Sequence, residues 1–151
     1  MHTLVRRYIK TAIGFLLVGL AIGGWMIVQR ELLGRYPNPY ETSAHIHAIF
    51  VGFVMMMIQG VALWLFPRPA RGDTRYRPGL AAAAYWLVTA GTAARVGGEL
   101  ARTVVASAWL RWGVVAGGFG QIAGLVLFFH TIWPRIRAVG SQVREANGER
   151  F

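Results

Sequence analysis

Four long apolar stretches, separated by short segments rich in arginine, proline and other polar residues, run along the chain. Each stretch is about 20 residues long, and a helix of that length spans the roughly 30 Å hydrocarbon core of a bilayer. The pattern predicts an all-α membrane protein, a single domain whose four transmembrane helices cover about residues 8–28, 44–66, 78–98 and 110–133. Residues 29–43 are expected outside the hydrocarbon, with Thr42 or Ser43 capping the second helix.

The composition agrees with a membrane protein. The chain is 55% hydrophobic and only 15% charged, with a mean hydropathy of +0.44. Its formal net charge of +10 comes almost wholly from arginine, because Lys10 is the only lysine. The arginines punctuate apolar segments and form no basic run interleaved with aromatic residues, which favours the lipid bilayer over nucleic acid as the partner.

The placement of the basic residues predicts the orientation of the chain. Eleven of the 16 fall on one side of the predicted spans and four on the other, with Arg95 left aside as a helix-end residue. The first set is Arg6, Arg7, Lys10, Arg68, Arg71, Arg75, Arg77, Arg135, Arg137, Arg144 and Arg150; the second is Arg30, Arg35, Arg102 and Arg111. Because cytoplasmic loops carry the excess of arginine and lysine, both termini are expected in the cytoplasm, with the protein in a prokaryotic-type inner membrane.

His45 and His47 are the leading candidates for a functional site, at the outer end of the second predicted helix. Residues i and i+2 of a helix point about 200° apart, so the two imidazoles cannot readily hold one ion together, and they predict two separate contacts. Imidazole is a common ligand of haem iron, copper and zinc, and ionisable residues in membrane helices are functional candidates by default. The plainer alternative is that both rings satisfy polar groups where the helix leaves the bilayer.

The absence of cysteine narrows the chemistry of any such site. It excludes disulfides, thiolate metal sites, iron-sulfur clusters and haem attached through cysteine. Met55, Met56 and Met57 are consecutive, so they face three directions and are interpreted as core-filling residues. Gly52 and Gly60 are eight residues apart on nearly one helix face and leave a shallow groove for a flat macrocycle or another helix.

Residues 44–69 resemble the haem-bearing helix of the large subunit of haem-copper oxidases and nitric oxide reductases. The likeness rests on His45-x-His47, on Gly60 fifteen residues after His45, and on Trp64, Phe66 and Pro67. In that family a His-x-His pair near the outer end of a helix serves two haems, one histidine to each. The opposite directions expected of His45 and His47 fit this arrangement.

The resemblance implies an assembly. The family's large subunit has twelve helices in three similar arcs of four, and the haem-bearing helices come second in each arc. Four helices with the histidines on the second therefore imply a homotrimer that reproduces the twelve-helix architecture. Each haem b would be held non-covalently between adjacent protomers, by His45 of one subunit and His47 of its neighbour.

Further contacts to the haem are expected at the same outer level. Arg95, Arg102 and Arg111 are candidates to bind the anionic propionates, since arginine binds carboxylates in a bidentate way, although the lipid headgroup region is an alternative place for each. Gly52 is a candidate contact in the shallow groove. His130 lies near the cytoplasmic end of the fourth predicted helix, roughly 30 Å away, and is not expected to be a partner of His45 or His47.

Departures from the family limit the expected activity. Nothing in the chain matches the further histidines and tyrosine of its oxygen-reducing members, or the histidines and glutamate around the second iron of nitric oxide reductases. No catalytic residue is therefore assigned, and a complete oxidase or reductase centre is not expected. Two axial histidines leave iron without an open position, which suits electron transfer or haem carriage, linked to respiration or nitric oxide handling and served by a redox partner protein.

Two other function classes remain open from the sequence. One is a gas-binding haem enzyme that reduces nitric oxide or oxygen, in which a single histidine leaves the iron five-coordinate. The other is a haem-free accessory membrane subunit whose histidines are only interfacial.

Overall fold

A computed structural model describes residues 3–67, 77–136, 140, 143–144 and 147–148 of the chain. Helix α1 (Thr3–Ile27) continues into a π-helical turn (Val28–Leu32). Helices α2 (Pro39–Ile46) and α3 (Met56–Leu65) are joined by a π-helix (His47–Met55) into one rod, called here the second rod. Helices α4 (Pro78–Arg102) and α5 (Ala108–Ile132) follow, and a 3-10 turn (Trp133–Arg135) ends the bundle.

Three of the four predicted spans are confirmed as helices long and apolar enough to cross a membrane, among the residues that the structure describes. They are Thr3–Leu32, Pro39–Leu65 and Ala108–Arg135. Helix α4 has 25 residues, which is sufficient length, but many of its apolar positions are alanine and it carries Arg95 and Glu99. This composition makes α4 less apolar than the other three long helices, so α4 is not among the helices that are both long and apolar enough to span a membrane.

The second rod begins earlier than the sequence predicted. Asn38 is its N-cap: the Asn38 side chain accepts a hydrogen bond from the Tyr40 amide, and the Glu41 carboxylate accepts one from the Asn38 amide. With Pro39 at the first helical position, this capping box starts the helix before residue 44. The prediction of Thr42 or Ser43 as the cap is therefore wrong, and Ser43 has a different role described below.

A buried cluster joins α1 to the α4–α5 pair toward the N-terminal end of α1. Tyr8 of α1 is fully buried, and its ring packs edge-on against Tyr85 of α4 and Phe128 of α5, at centroid distances of 5.0 and 5.9 Å. Thr11 and Tyr85 share a hydrogen bond of 2.8 Å between their hydroxyls. These contacts fix α1 against the α4–α5 pair at one level of the bundle.

Helices α4 and α5 approach each other through glycine. A methyl group added to Gly117 would lie 2.7 Å from the Gly91 carbonyl oxygen and 2.8 Å from the Arg95 amide nitrogen. Backbone atoms thus occupy the space that a side chain would need, and the two helices are in direct backbone contact. Small residues are typical of such close contacts between membrane helices.

Arg135 closes the other end of the second rod. Its guanidinium is 6% exposed and donates hydrogen bonds to the backbone carbonyls of Leu63, Phe66 and Pro67. These carbonyls lack helical partners because the helix ends there. Five of the basic residues on which the predicted orientation rests lie outside the described residues: Arg68, Arg71, Arg75, Arg137 and Arg150.

Candidate functional site

His45 lies in the last turn of α2 and packs against α1. Its Nδ1 atom is 2.9 Å from the carbonyl oxygen of Gly19, and a methyl group on Gly23 would come within 2.9 Å of the ring carbon Cε1. A carbonyl oxygen only accepts hydrogen bonds, so Nδ1 carries the hydrogen and Nε2 keeps a free lone pair. The imidazole is thus fixed in the tautomer that can bind a metal through Nε2.

A groove opens beside the His45 ring. It has a volume of about 520 Å³, and its lining is mostly apolar, with the guanidinium of Arg30 on one side. Gly23 and Gly24 form part of its wall and leave α1 without side chains there. A groove of this kind accommodates a flat apolar group that carries an anionic substituent.

His47 begins the π-helix and faces α4. Its Nδ1 atom is 2.8 Å from the Ser43 carbonyl oxygen and 3.9 Å from the carboxylate oxygen Oε2 of Glu99. The side chain is 20% exposed. As with His45, the bond to a backbone carbonyl puts the hydrogen on Nδ1 and leaves Nε2 available to a ligand.

A buried carboxylate lies behind His47. Glu99 is 3% exposed, and its Oε1 accepts hydrogen bonds from the Ser43 hydroxyl at 2.8 Å and from Arg95 Nε at 3.2 Å. Its second oxygen, Oε2, is buried and makes no hydrogen bond with any described residue. The Ser43 hydroxyl oxygen also lies 3.4 Å from His47 Nδ1. His47, Ser43 and Glu99 therefore form one connected group.

The two histidines therefore face different helices, His45 toward α1 and His47 toward α4. This matches the opposite directions that their spacing predicts for a helix. The π-helix that starts at His47 was not predicted. π-Helical turns are rare and often mark functional sites, and nothing in the apolar pattern of residues 47–55 distinguishes one from an α-helix.

The predicted propionate partners occupy three different environments. Arg95 is engaged by Glu99, Arg102 lies over the Tyr40 ring at 4.3 Å, and Arg111 is exposed near the start of α5. The structure does not gather them into one cluster. Arg30, which was counted only as a loop cation, is the arginine that borders the His45 groove.

Gly52 is covered by helix α1. A methyl group on Gly52 would lie 2.5 Å from Cγ of Phe15, so this part of the glycine face packs against another helix. Gly60 is likewise placed against Tyr8 and Ile9 of the same helix. Gly52 as a cofactor contact stays a prediction.

Glu41 is a second carboxylate that the sequence did not connect to the site. It accepts hydrogen bonds from Gln29 Nε2 at 2.9 Å and from Trp25 Nε1 at 3.3 Å, besides the capping bond from Asn38. These contacts tie α1 to the second rod one turn before His45. His130 is exposed in the last turn of α5, at a distance from this region.

A protein-family model, described as Cytochrome C and Quinol oxidase polypeptide I, matches residues 3–146, almost the whole chain. The chain belongs to this haem-copper oxidase subunit I family. The search of curated proteins and the search of solved structures each returned no match. The resemblance first seen in residues 44–69 is thus confirmed, and it extends over all four long helices.

Membership in the haem-copper oxidase subunit I family makes this a membrane protein related to those oxidases, and the family typically binds haem. Within the described residues there is no group of three or more histidine, aspartate or glutamate side chains placed to hold a metal ion. In both His45 and His47 the ring nitrogen bonded to a backbone carbonyl is Nδ1, and Nε2 has no hydrogen bond to the described backbone.

Proposed function

We propose that this protein is a membrane haem protein that binds haem b non-covalently through His45 and His47 and serves in electron transfer or haem carriage. The process would be respiration or nitric oxide handling, with a redox partner protein. The observation that carries the proposal is the pair of Nδ1 hydrogen bonds to the carbonyls of Gly19 and Ser43, which orient both rings for binding through Nε2. Ligating histidines in metal sites are commonly fixed by this kind of bond.

The arrangement of the rings favours sites shared between subunits. Because His45 faces α1 and His47 faces α4, one chain does not direct both rings at one iron. A neighbouring copy supplies the second ligand in the proposed assembly, a homotrimer of four-helix chains that repeats the three arcs of the family. Cyclic symmetry then gives three equivalent sites, each with His45 from one chain and His47 from the next.

The residues beside the rings fit a haem. Gly24 leaves open space on α1 next to His45, and Arg30, which borders the same groove, would meet a propionate. Arg30 is engaged by Glu31 in an exposed ion pair, and exposed pairs of this kind hold their partners weakly. Arg102 and Arg111 are further candidates, whereas Arg95 is already engaged with Glu99.

Haem iron with two histidine ligands has no open position and supplies one-electron transfer when bound. The protein's part is to fix the imidazoles, to exclude water with the apolar faces of α1 and the second rod, and to balance the charge of the propionates. In this proposal the protein lies in a prokaryotic-type inner membrane. All four helices cross that membrane, and both termini are in the cytoplasm.

Purification with haem, followed by optical and electron paramagnetic resonance (EPR) spectroscopy, tests the proposal. The wild type is expected to contain one haem per chain with a low-spin spectrum, and His45→Ala and His47→Ala are each expected to lose haem or to become high-spin. His130→Ala is the matched control, since His130 is an exposed histidine remote from the site. It should retain the wild-type spectrum.

Two results would contradict the proposal: a wild-type protein purified without haem, or an unchanged low-spin spectrum in both ligand variants. Carbon monoxide added to the reduced protein distinguishes the function classes. Iron closed by two histidines binds it poorly, whereas a five-coordinate, gas-binding enzyme binds it readily.

A further inference from the structure

The buried carboxylate of Glu99 has a feature that packing alone does not explain. Its Oε1 atom accepts two hydrogen bonds, from Ser43 and Arg95, while Oε2 is buried with no hydrogen bond from any described residue. Leaving a buried charged oxygen without a donor is costly, and native structures rarely do so without a functional reason. The imidazole of His47, with Nδ1 at 3.9 Å, is the group facing that oxygen.

We propose that Glu99 is a positioning residue that holds Ser43 and, through it, the ring of His47, and that its negative charge lowers the reduction potential of the iron this histidine would bind. The inference rests on the proposed function, because it concerns the electronic effect of a ligand's neighbour. Groups that support a ligating histidine fix its ring orientation. Here the Ser43 carbonyl accepts the Nδ1 hydrogen of His47, and the Ser43 hydroxyl donates to Glu99 Oε1. A nearby negative charge favours the oxidised, more positive state of the iron.

The geometry directs this effect to His47 and not to the solvent. Arg95 bonds to Oε1, whereas the oxygen without a hydrogen bond, Oε2, lies 3.9 Å from His47 Nδ1. The Ser43 hydroxyl connects the two groups: it donates to Glu99 Oε1 at 2.8 Å and lies 3.4 Å from His47 Nδ1. At 3% exposure, the carboxylate is shielded from the water that would screen its charge.

The test is a redox titration of the haem-loaded protein, paired with the EPR spectrum of the oxidised form. Glu99→Gln keeps the side-chain shape and an oxygen that can accept from Ser43, but it removes the charge. We expect this variant to retain haem, to show an upward shift in midpoint potential, and to change the principal g values that report ring orientation. Lys10→Gln is the control, because it removes one exposed charge near the start of α1, nine residues before Gly19; its potential should stay at the wild-type value.

A haem-loaded Glu99→Gln protein with wild-type potential and g values would overturn the inference while leaving the proposed function intact. If Glu99→Gln fails to fold, the same redox titration of Glu99→Asp tests the inference. This variant keeps the charge but withdraws it from His47, so a smaller upward shift supports the inference and an unchanged potential overturns it. A wild-type protein without haem would instead remove the proposed function itself.

Discussion

The proposed haem site depends on two imidazoles, each bonded through Nδ1 to a backbone carbonyl. Their opposite directions follow from the i, i+2 spacing alone, because helix geometry sets the angle between successive side chains. The residues that each ring contacts could not be predicted from this spacing. His45 meets Gly19, 26 residues away, and Ser43 meets Glu99, 56 residues away.

Gly23 offers a test at the residue scale. In Gly23→Ala the added methyl group would lie 2.9 Å from Cε1 and 3.2 Å from Nδ1 of His45, so the ring must move off its Gly19 hydrogen bond. We expect haem retention roughly tenfold weaker, the order of loss seen when the support of a metal ligand is removed. The measurement is the haem-to-protein ratio after purification, together with titration of the apoprotein with hemin.

Gly14→Ala is the control on the same helix, because a methyl group there has no neighbour within 4 Å. It should bind haem as the wild type does. Equal haem content in the two variants would mean that the position of the His45 ring against α1 does not govern binding.

Among the elements, the contact between α4 and α5 holds the partners of His47 in place. Gly117 meets Gly91 and the backbone of Arg95, one turn before Glu99. In Gly117→Ala the helices must separate, which we expect to lower stability by about 1–3 kcal/mol, the usual cost of overpacking. The measurement is the thermal unfolding midpoint in detergent, and the control is Gly113→Ala, whose methyl group would have no neighbour within 4 Å. Equal midpoints in the two variants would contradict the close packing.

The end of the second rod gives another prediction for an element. Arg135 donates to three backbone carbonyls, those of Leu63, Phe66 and Pro67. Arg135→Gln cannot reproduce this set, and a hydrogen bond to a charged group contributes roughly 2 kcal/mol, so the unfolding midpoint should fall clearly. Arg6→Gln, at an exposed position of α1, should leave it unchanged. A midpoint in Arg135→Gln equal to that of the control would show that the guanidinium does not stabilise this helix end.

At the scale of the whole molecule, shared sites predict complementation between variants. A His45→Ala chain and a His47→Ala chain each lack one ligand, but a mixed trimer restores sites where the remaining His45 of one chain meets the remaining His47 of the next. In every mixed trimer one of the three sites, about a third, should be complete. We expect co-expression, with two different tags to isolate mixed particles, to recover low-spin haem that neither variant binds alone.

The control pairs the His45→Ala chain with a chain that lacks both histidines, since no complete site can then form. The particle mass, measured in detergent, should equal three chains of 16.7 kDa plus bound haem. Mixed particles with no more low-spin haem than the control would exclude sharing between subunits and favour sites within one chain.

The sequence by itself determined the all-α membrane architecture, the approximate positions of the helices, the opposite directions of His45 and His47 and the relation to the oxidase family. These properties are local: they depend on runs of apolar residues, on helix periodicity and on a motif within one segment. Only the tertiary structure decided that Phe15 fills the space at Gly52, that Glu99 engages Arg95, and that Ser43 joins the site instead of capping a helix. Such contacts depend on how each helix is rotated about its axis. In a membrane helix that is apolar on all sides, hydropathy does not fix that rotation, and close packing between small residues does.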